Sequence, residues 1–278
     1  MIVDALLDPI HRLRSHLHEI LRNLTPGARV LDLGSRSGSF DSDCCPACLI
    51  VRLDREPPEN RGGSAVQADA AQLPFAGQSF DAVIANHSLE HMESLAAVLK
   101  EIRRVVQPRG SLYVAVPDAS TITDRLYRWI YHGGGHVNAF RSADELSRLI
   151  AGATGLPCIA IRILHTSLSF LNRTHFHPRP PRRLWLLANG NPRFIAALTY
   201  ALRIVDRVFP TRCSVYGWAL YFGSVPEQIE TAPWINVCVA CGAGHSVQSL
   251  EVNHRIRRHW LGFRSYVCPD CGAGNLFL

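Results

Sequence analysis

Short apolar runs that alternate with helical patterns constrain this chain more than any other feature. Residues 29–33, 49–53, 65–68, 81–85 and 112–116 are dominated by Val, Leu, Ile and Ala and are too short for helices, so they read as strands. Between the last two, Leu95, Val98, Leu99, Ile102, Val105 and Val106 recur at helical spacing, with Arg103 and Arg104 on the outer face and Pro108 and Gly110 closing the helix. Strand, helix, strand in this rhythm predicts a parallel sheet covered on both faces. Ser142 and Glu145 form a capping box for a further helix to about residue 153, and 157–164 and 215–223 complete the strands. Ahead of the first strand, Val3, Leu6, Leu7, Ile10, Leu13, Leu17, Ile20, Leu21 and Leu24 predict an amphipathic helix that Pro26 and Gly27 end.

An insertion at about 172–212 separates the last two strands. It opens on a proline- and arginine-rich segment, 175–183, and continues in apolar helical stretches at 184–188 and 194–208. Phe194, Ala197, Leu198, Ala201, Leu202, Val205 and Val208 form a stripe that suits a lid over an acceptor site, a peripheral membrane contact or a core-packed helix. No run reaches the eighteen or so apolar residues a membrane span needs, and Asp4 and Asp8 stand where a signal peptide wants positive charge, so a cytoplasmic protein is expected. The net charge of +6 is weak evidence for nucleic acid, because all but one of the 29 basic residues are arginines scattered along the chain, a skew that looks like coding bias.

Val30-Leu-Asp-Leu-Gly-Ser-Arg-Ser-Gly38 places Asp32 and two glycines, Gly34 and Gly38, where a buried strand turns toward a helix. Glycine lets backbone approach a ligand there, although a structural turn explains it as well. Asp54, at the end of the next strand, is placed to accept both hydroxyls of a ribose.

The continuation Gln67-Ala-Asp-Ala-Ala-Gln-Leu-Pro-Phe-Ala-Gly-Gln-Ser-Phe-Asp-Ala-Val-Ile-Ala-Asn86, followed by His-Ser-Leu-Glu-His-Met92, resembles class I S-adenosylmethionine-dependent methyltransferases, particularly the subgroup that includes quinone-biosynthesis enzymes. The resemblance covers roughly residues 28–165 and implies an α/β, Rossmann-like doubly wound sheet, mostly parallel with an antiparallel last strand. It also implies S-adenosylmethionine as cofactor, with Asp32, Gly34, Ser35, Gly38 and Asn86 on its methionine side, Asp54 on the ribose, and Asp69 with Ala70 at the adenine. Two features depart from the family: Arg36 stands where glycine is usual, and Asp41-Ser-Asp-Cys-Cys-Pro-Ala-Cys48 implies a shortened first helix. Cys45 and Cys48 read as packed or incidental thiols, with a redox or metal pair as the alternative.

Methyl transfer needs alignment and, for a protonated acceptor, a base. His87 and His136 are the candidate bases, near the fourth strand and in the Gly133-Gly-Gly-His-Val-Asn138 segment; capping or loop-orienting roles suit them equally, and suit His91, Ser88 and Glu90 better. At the C-terminus, Cys238, Cys241, Cys268 and Cys271 form two Cys-x-x-Cys-Gly knuckles, the spacing of a structural Zn2+ ribbon with no open coordination position. The segment 254–266 interleaves basic and aromatic residues, as a solvated hairpin with its aromatics inward or as a nucleic-acid grip.

The expected organisation is a packing helix at 1–27, a methyltransferase domain at 28–228 and a zinc ribbon at 232–278. The expected function is methylation of a small-molecule or lipid-linked acceptor, with nucleic acid as a less favoured partner. Two alternatives are an RNA methyltransferase gripping RNA with the ribbon and a catalytically silent binding protein, the latter suggested by Arg36 and the shortened helix.

Overall fold

The computed structural model describes residues 18–21, 24–36, 38–40, 42, 45–56, 64–173, 181–225 and 229–278. Seven strands form one sheet: β1 (Arg29–Leu33), β2 (Leu49–Asp54), β3 (Ser64–Gln67), β4 (Phe80–Asn86), β5 (Val106–Pro117), β6 (Cys158–His165) and β7 (Val215–Gly223). Their order is β3-β2-β1-β4-β5-β7-β6, with β7 antiparallel to both neighbours and the remaining pairs parallel. This is a Rossmann-like, mostly parallel sheet with an antiparallel β7, and its chain order reverses between β1 and β4. The crevice beyond the C-terminal ends of those two strands is where open α/β sheets bind ligands.

Period-two alternation divides the strand residues between two apolar layers. Leu31, Leu33, Val83, Ala85, Val114 and Val116 face α2 (Leu95–Val105) and α4 (Ala143–Thr154), while Val30, Ala82, Ile84, Tyr113 and Ala115 face the other way. Helix α4 starts where Ser142 accepts the N–H of Glu145 at 3.3 Å and ends at Gly155, whose φ of 75° gives the left-handed cap.

Among the described residues, the second layer is closed without a long helix after β1. Ile20 and Leu21 of the short helix α1 (His18–Leu21), Phe40 and Cys45 fill the space instead. Most of the helix expected before residue 24 lies outside the described residues. Among the described residues between β1 and β2 there is no α-helix, since Pro46 and the turn closed by the Cys48 N–H on the Cys45 carbonyl, at 3.0 Å, interrupt any regular run. Cys45 and Cys48 are disulfide-bonded, which corrects their reading as incidental thiols.

After β6 the insertion forms short 3-10 turns within Arg182–Gly190, broken by a kink at 187–189 where Ala188 and Asn189 are left-handed, and α5 (Pro192–Val208). Its inward residues Leu184 and Ile195 join Ile130 from α3 (Ile122–Ile130), Leu168, Leu171 and Val239 in a separate apolar cluster. The seven-residue stripe does not supply the inner face of α5. Phe194, Ala197, Ala201, Val205 and Val208 are exposed, Leu198 and Leu202 half-buried, and Ile195, Thr199 and Arg203 buried. Polar residues can turn inward because acceptors wait for them: Arg203 donates to the carbonyls of Thr166 (2.9 Å) and Val237 (3.1 Å), and Thr199 to that of Ile195 (2.7 Å).

The C-terminal module holds β8 (Asn236–Val237), β9 (Gly244–His245), α6 (Val247–Val252), β10 (Ile256–Arg258), β11 (Arg264–Val267) and β12 (Gly274–Leu276). Segment 254–266 is a hairpin of β10 and β11, yet only Tyr266 of its aromatics enters the core; Trp260 is 87% and Phe263 54% exposed.

Candidate functional site

A cleft of about 440 Å³ opens at the strand-order reversal, lined by the ends of β1, β2, β3 and β4 and by Gly134 and Gly135. Its floor is Gly34, with a φ of 69° that favours glycine. A Cβ there would stand 2.6 Å from Ser88 Cβ, so the β1 and β4 loops touch only because position 34 has no side chain.

Asp54, at the end of β2, lines the cleft with both carboxylate oxygens anchored: Oδ2 accepts the Arg36 N–H at 2.8 Å and Oδ1 that of Glu56 at 3.1 Å. Each oxygen keeps a lone pair for a further donor. Asp69, past the end of β3, accepts the Ala71 N–H at 2.9 Å and pairs with Arg55 at 3.1 Å; the backbone donor first, and then Arg55, hold its carboxyl below the usual range. Ala70, buried beside it, also lines the cleft. Arg36 sits at φ 41°, which accounts for glycine at this point in the family pattern, and directs its guanidinium out to Glu56 at 3.3 Å.

Other candidates support the cleft from behind. Asp32 is fully buried and accepts the Ser39 N–H at 2.8 Å, holding the loop after β1. Ser35 is buried with its N–H on the Leu53 carbonyl, Gly38 packs against Arg52, and Asn86 ends β4; none of these is among the lining residues.

His87 lines the cleft at φ 53°, with Nδ1 3.4 Å from the Tyr216 hydroxyl and 3.7 Å from Glu90 Oε1. Burial, and secondarily the Glu90 carboxylate, push the Tyr216 phenol well above its ordinary range, so it stays protonated. His136 does not line the cleft. It lies behind Gly135, stacked on Tyr127 at 5.0 Å, with Nδ1 3.3 Å from Asp124 Oδ1. Asp124 also pairs with Arg128 at 2.6 Å, and these partners hold its carboxyl low against the opposing effect of burial. The glycine-rich segment is clamped to the loop after β4: Asn138 Nδ2 donates to the carbonyls of Leu89 and Met92 at 2.9 and 2.7 Å, and the Val137 and Asn138 N–H groups donate to that of Glu90. Tyr216 and Asp124 are the site residues sequence reasoning missed, and Glu90 was read only as a helix-start residue; only the fold brings Tyr216, 129 residues away, to His87. No described residue of the insertion lines this cleft.

In the C-terminal module the four cysteine sulfurs lie within 4.8 Å of one another, with Cys238 to Cys271 at 3.6 Å and Cys241 to Cys268 at 3.7 Å. Both knuckles use the same backbone bonds: Cys238 and Cys268 donate to Ala243 and Ala273, and Gly242 and Gly272 donate back to Cys238 and Cys268 at 2.8 and 2.9 Å. Sulfurs 2.3 Å from a tetrahedral zinc stand roughly 3.8 Å apart, so the donor set fits that ion.

Residues 31–114, from β1 into β5, match the family described as "Methyltransferase domain". The chain is 38% identical over 103 residues to a demethylmenaquinone methyltransferase of Corynebacterium glutamicum, an alignment covering 34% of this chain and 43% of that protein. An O-methyltransferase of Pyrenophora dematioidea is 38% identical over 166 residues, 52% of this chain and 61% of its own length. A malonyl-[acyl-carrier protein] O-methyltransferase of Halorhodospira halophila is 27% identical over 256 residues, 82% of this chain and 83% of its own. Residues 31–114 are therefore similar to methyltransferase domains, and the chain spans less than half the length of the demethylmenaquinone methyltransferase that it matches.

Proposed function

We propose that the chain is a methyltransferase acting on a small-molecule or lipid-linked acceptor. The observation that carries this reading is the pair Asp54 and Asp69, carboxylates at the ends of β2 and β3 that share one cleft with Gly34 at the strand-order reversal. Asp54 would take the ribose hydroxyls on its two free lone pairs, and Asp69 with Ala70 the adenine. Asp32, Gly34, Ser35, Gly38 and Asn86 would shape the methionine end, Asp32 acting through the Ser39 N–H. S-adenosylmethionine, when bound there, supplies an already activated methyl group. His87 is the base: with Nδ1 turned to Tyr216 and Glu90, Nε2 accepts the acceptor's proton. His136 keeps the glycine-rich wall in place through Asp124.

The exposed residues of the insertion support a lipid-linked acceptor. Trp185 and Leu186 before α5 (73% and 75% exposed), Phe194 and Val208 on it and Phe209 just after it are exposed, with Arg182, Arg193 and Arg207 beside them in sequence, the composition of a segment that lies on anionic lipid. No described helix is long and apolar enough to cross a membrane, so the contact would be peripheral. The four cysteines would hold structural zinc, a closed site without part in the reaction.

The deciding experiment offers the protein S-adenosylmethionine with a polyprenylated naphthoquinol or an acyl-carrier-linked carboxylate, in anionic vesicles and in their absence. Methylated product made faster with vesicles supports the reading; methyl transfer to neither acceptor refutes it. One observation favours a second reading, RNA methylation: Trp260 and Phe263 stand exposed among Arg255, Arg257, Arg258 and Arg264. Salt-dependent RNA binding lost in Trp260→Ala would favour it.

A further inference from the structure

We infer that the wall of the cleft contains a divalent-cation site built from Glu90, His91 and His136. One ring nitrogen of each histidine and a Glu90 carboxylate oxygen lie within 4.8 Å of one another. Two imidazoles and one carboxylate, with positions left open, are a ligand set for first-row divalent ions.

The surroundings are those of a metal site. Metal-binding histidines generally donate their second ring N–H to a carbonyl or carboxylate, which fixes the ring and raises the basicity of the ligating nitrogen. Here His91 Nδ1 is 3.0 Å from the Gly135 carbonyl oxygen, and His136 Nδ1 lies 3.3 Å from Asp124 Oδ1 with neither atom of that pair hydrogen-bonded, so Asp124 stands close enough to take up the His136 N–H when Nε2 holds an ion. Glu90 is 1% exposed, and its Oε2 has no hydrogen-bond partner. A buried carboxylate oxygen is costly without a partner, and a cation would supply one. The frame is rigid as well: the backbone carbonyl of Glu90 accepts from Val137 and Asn138, which locks the loop carrying Glu90 and His91 to the segment carrying His136.

Ligands about 2.1 Å from a metal stand roughly 3.0 to 3.4 Å apart, so an ion would need to draw these groups in by at most about 1.8 Å. Exposed His91 can make that movement. His91, Gly134 and Gly135 line the cleft, so the open positions face the space where an acceptor would lie. They suit an acceptor oxygen, a hydroxyl or a pair of neighbouring oxygens, held beside His87. That role rests on the methyltransferase reading; the cation site does not.

Manganese is the probe, because a hard ion avoids the four thiolates of the C-terminal module, and its free aquo form is counted by electron paramagnetic resonance. The zinc-supplemented full chain, without donor or acceptor, should bind Mn2+ saturably at a single site. His91→Ala should weaken binding at least tenfold with thermal stability unchanged, and Asp124→Asn should weaken it by about ten- to a hundredfold because His136 loses the carboxylate beside its Nδ1. Absence of saturable Mn2+ binding by the wild type, or unchanged affinity in His91→Ala, would overturn the inference. Should Asp124→Asn fail to fold, His91→Ala still decides. Donor titration on the same protein keeps failure of this site separate from failure of the methyltransferase reading.

Discussion

Gly34→Ala tests whether the cleft depends on the β1 and β4 loops touching at a position without a side chain. Two costs are separable. At φ 69° any non-glycine residue sits in the left-handed region, at about 1 to 2 kcal/mol. The added Cβ would also stand 2.6 Å from Ser88 Cβ and 3.3 Å from Met92 Cε, where carbons normally keep about 3.5 to 4.0 Å, and such overpacking costs about 1 to 3 kcal/mol. Ser88 is buried and cannot swing into solvent. Gly155→Ala provides the control, since φ is 75° there and nothing lies within 4 Å of the added carbon. Equilibrium urea unfolding should give a loss of about 2 to 5 kcal/mol for Gly34→Ala and about 1 to 2 kcal/mol for Gly155→Ala. Relief of the overlap must part the two loops, so donor affinity should fall in the first variant alone. Losses within about 0.5 kcal/mol of each other, less than the overlap alone should cost, would show that the contact is soft and refute the reasoning.

His165, whose Nδ1 is 3.0 Å from Ser214 Oγ, has its pKa lowered from 6.5 to about 4 by burial first and the Arg203 cation second. Below pH 6.5 the unfolded chain takes up a proton that the folded one refuses, so this group withdraws stability as pH falls from 6.5 toward about 4, by up to about 3 kcal/mol. His165→Gln should flatten that part of the urea-midpoint profile, and parallel profiles would refute the assignment. Cys268→Ser should abolish zinc retention in metal analysis and unfold the module at 232–278 while the sheet keeps its own transition; retained stoichiometric zinc would count against the four-thiolate site. Arg203→Met leaves the carbonyls of Thr166 and Val237 without their shared donor and should cost about 2 kcal/mol by urea titration, whereas an unchanged midpoint would show that α5 is held by packing alone.

The strands were legible because each is an apolar run bounded by polar or turn residues, and β1 and β7 fall where the pattern puts them. Asp54 was legible as a carboxylate ending a largely buried strand, whereas Asp69, past the exposed β3, was legible only through the family resemblance of residues 67–92. Direction was harder. Periodicity groups Phe194, Ala197, Ala201, Val205 and Val208 on one face of α5 but cannot tell which way that face points; the carbonyls that accept from Arg203 turn it outward. Pairings across the fold were not legible at all. Tyr216 reaches His87 because β7 runs antiparallel beside β5, and Asp124 reaches His136 because the glycines of 133–135 fold the chain back over α3. Aromatics in the 254–266 hairpin misled through composition, since the core of this module is filled by the clustered cysteines and Leu250, with Tyr266 and Phe277 as its only buried aromatics among the described residues.

The central claim is that the cleft at the strand-order reversal is the S-adenosylmethionine site. Titration calorimetry with S-adenosylmethionine on the wild type and on Asp54→Ala tests it most directly. The wild type should bind saturably and the variant should lose about 1.5 to 3 kcal/mol, roughly ten- to 150-fold in affinity, as charge-assisted hydrogen bonds to the ribose disappear. Undiminished binding by Asp54→Ala, or none by the wild type, would contradict it.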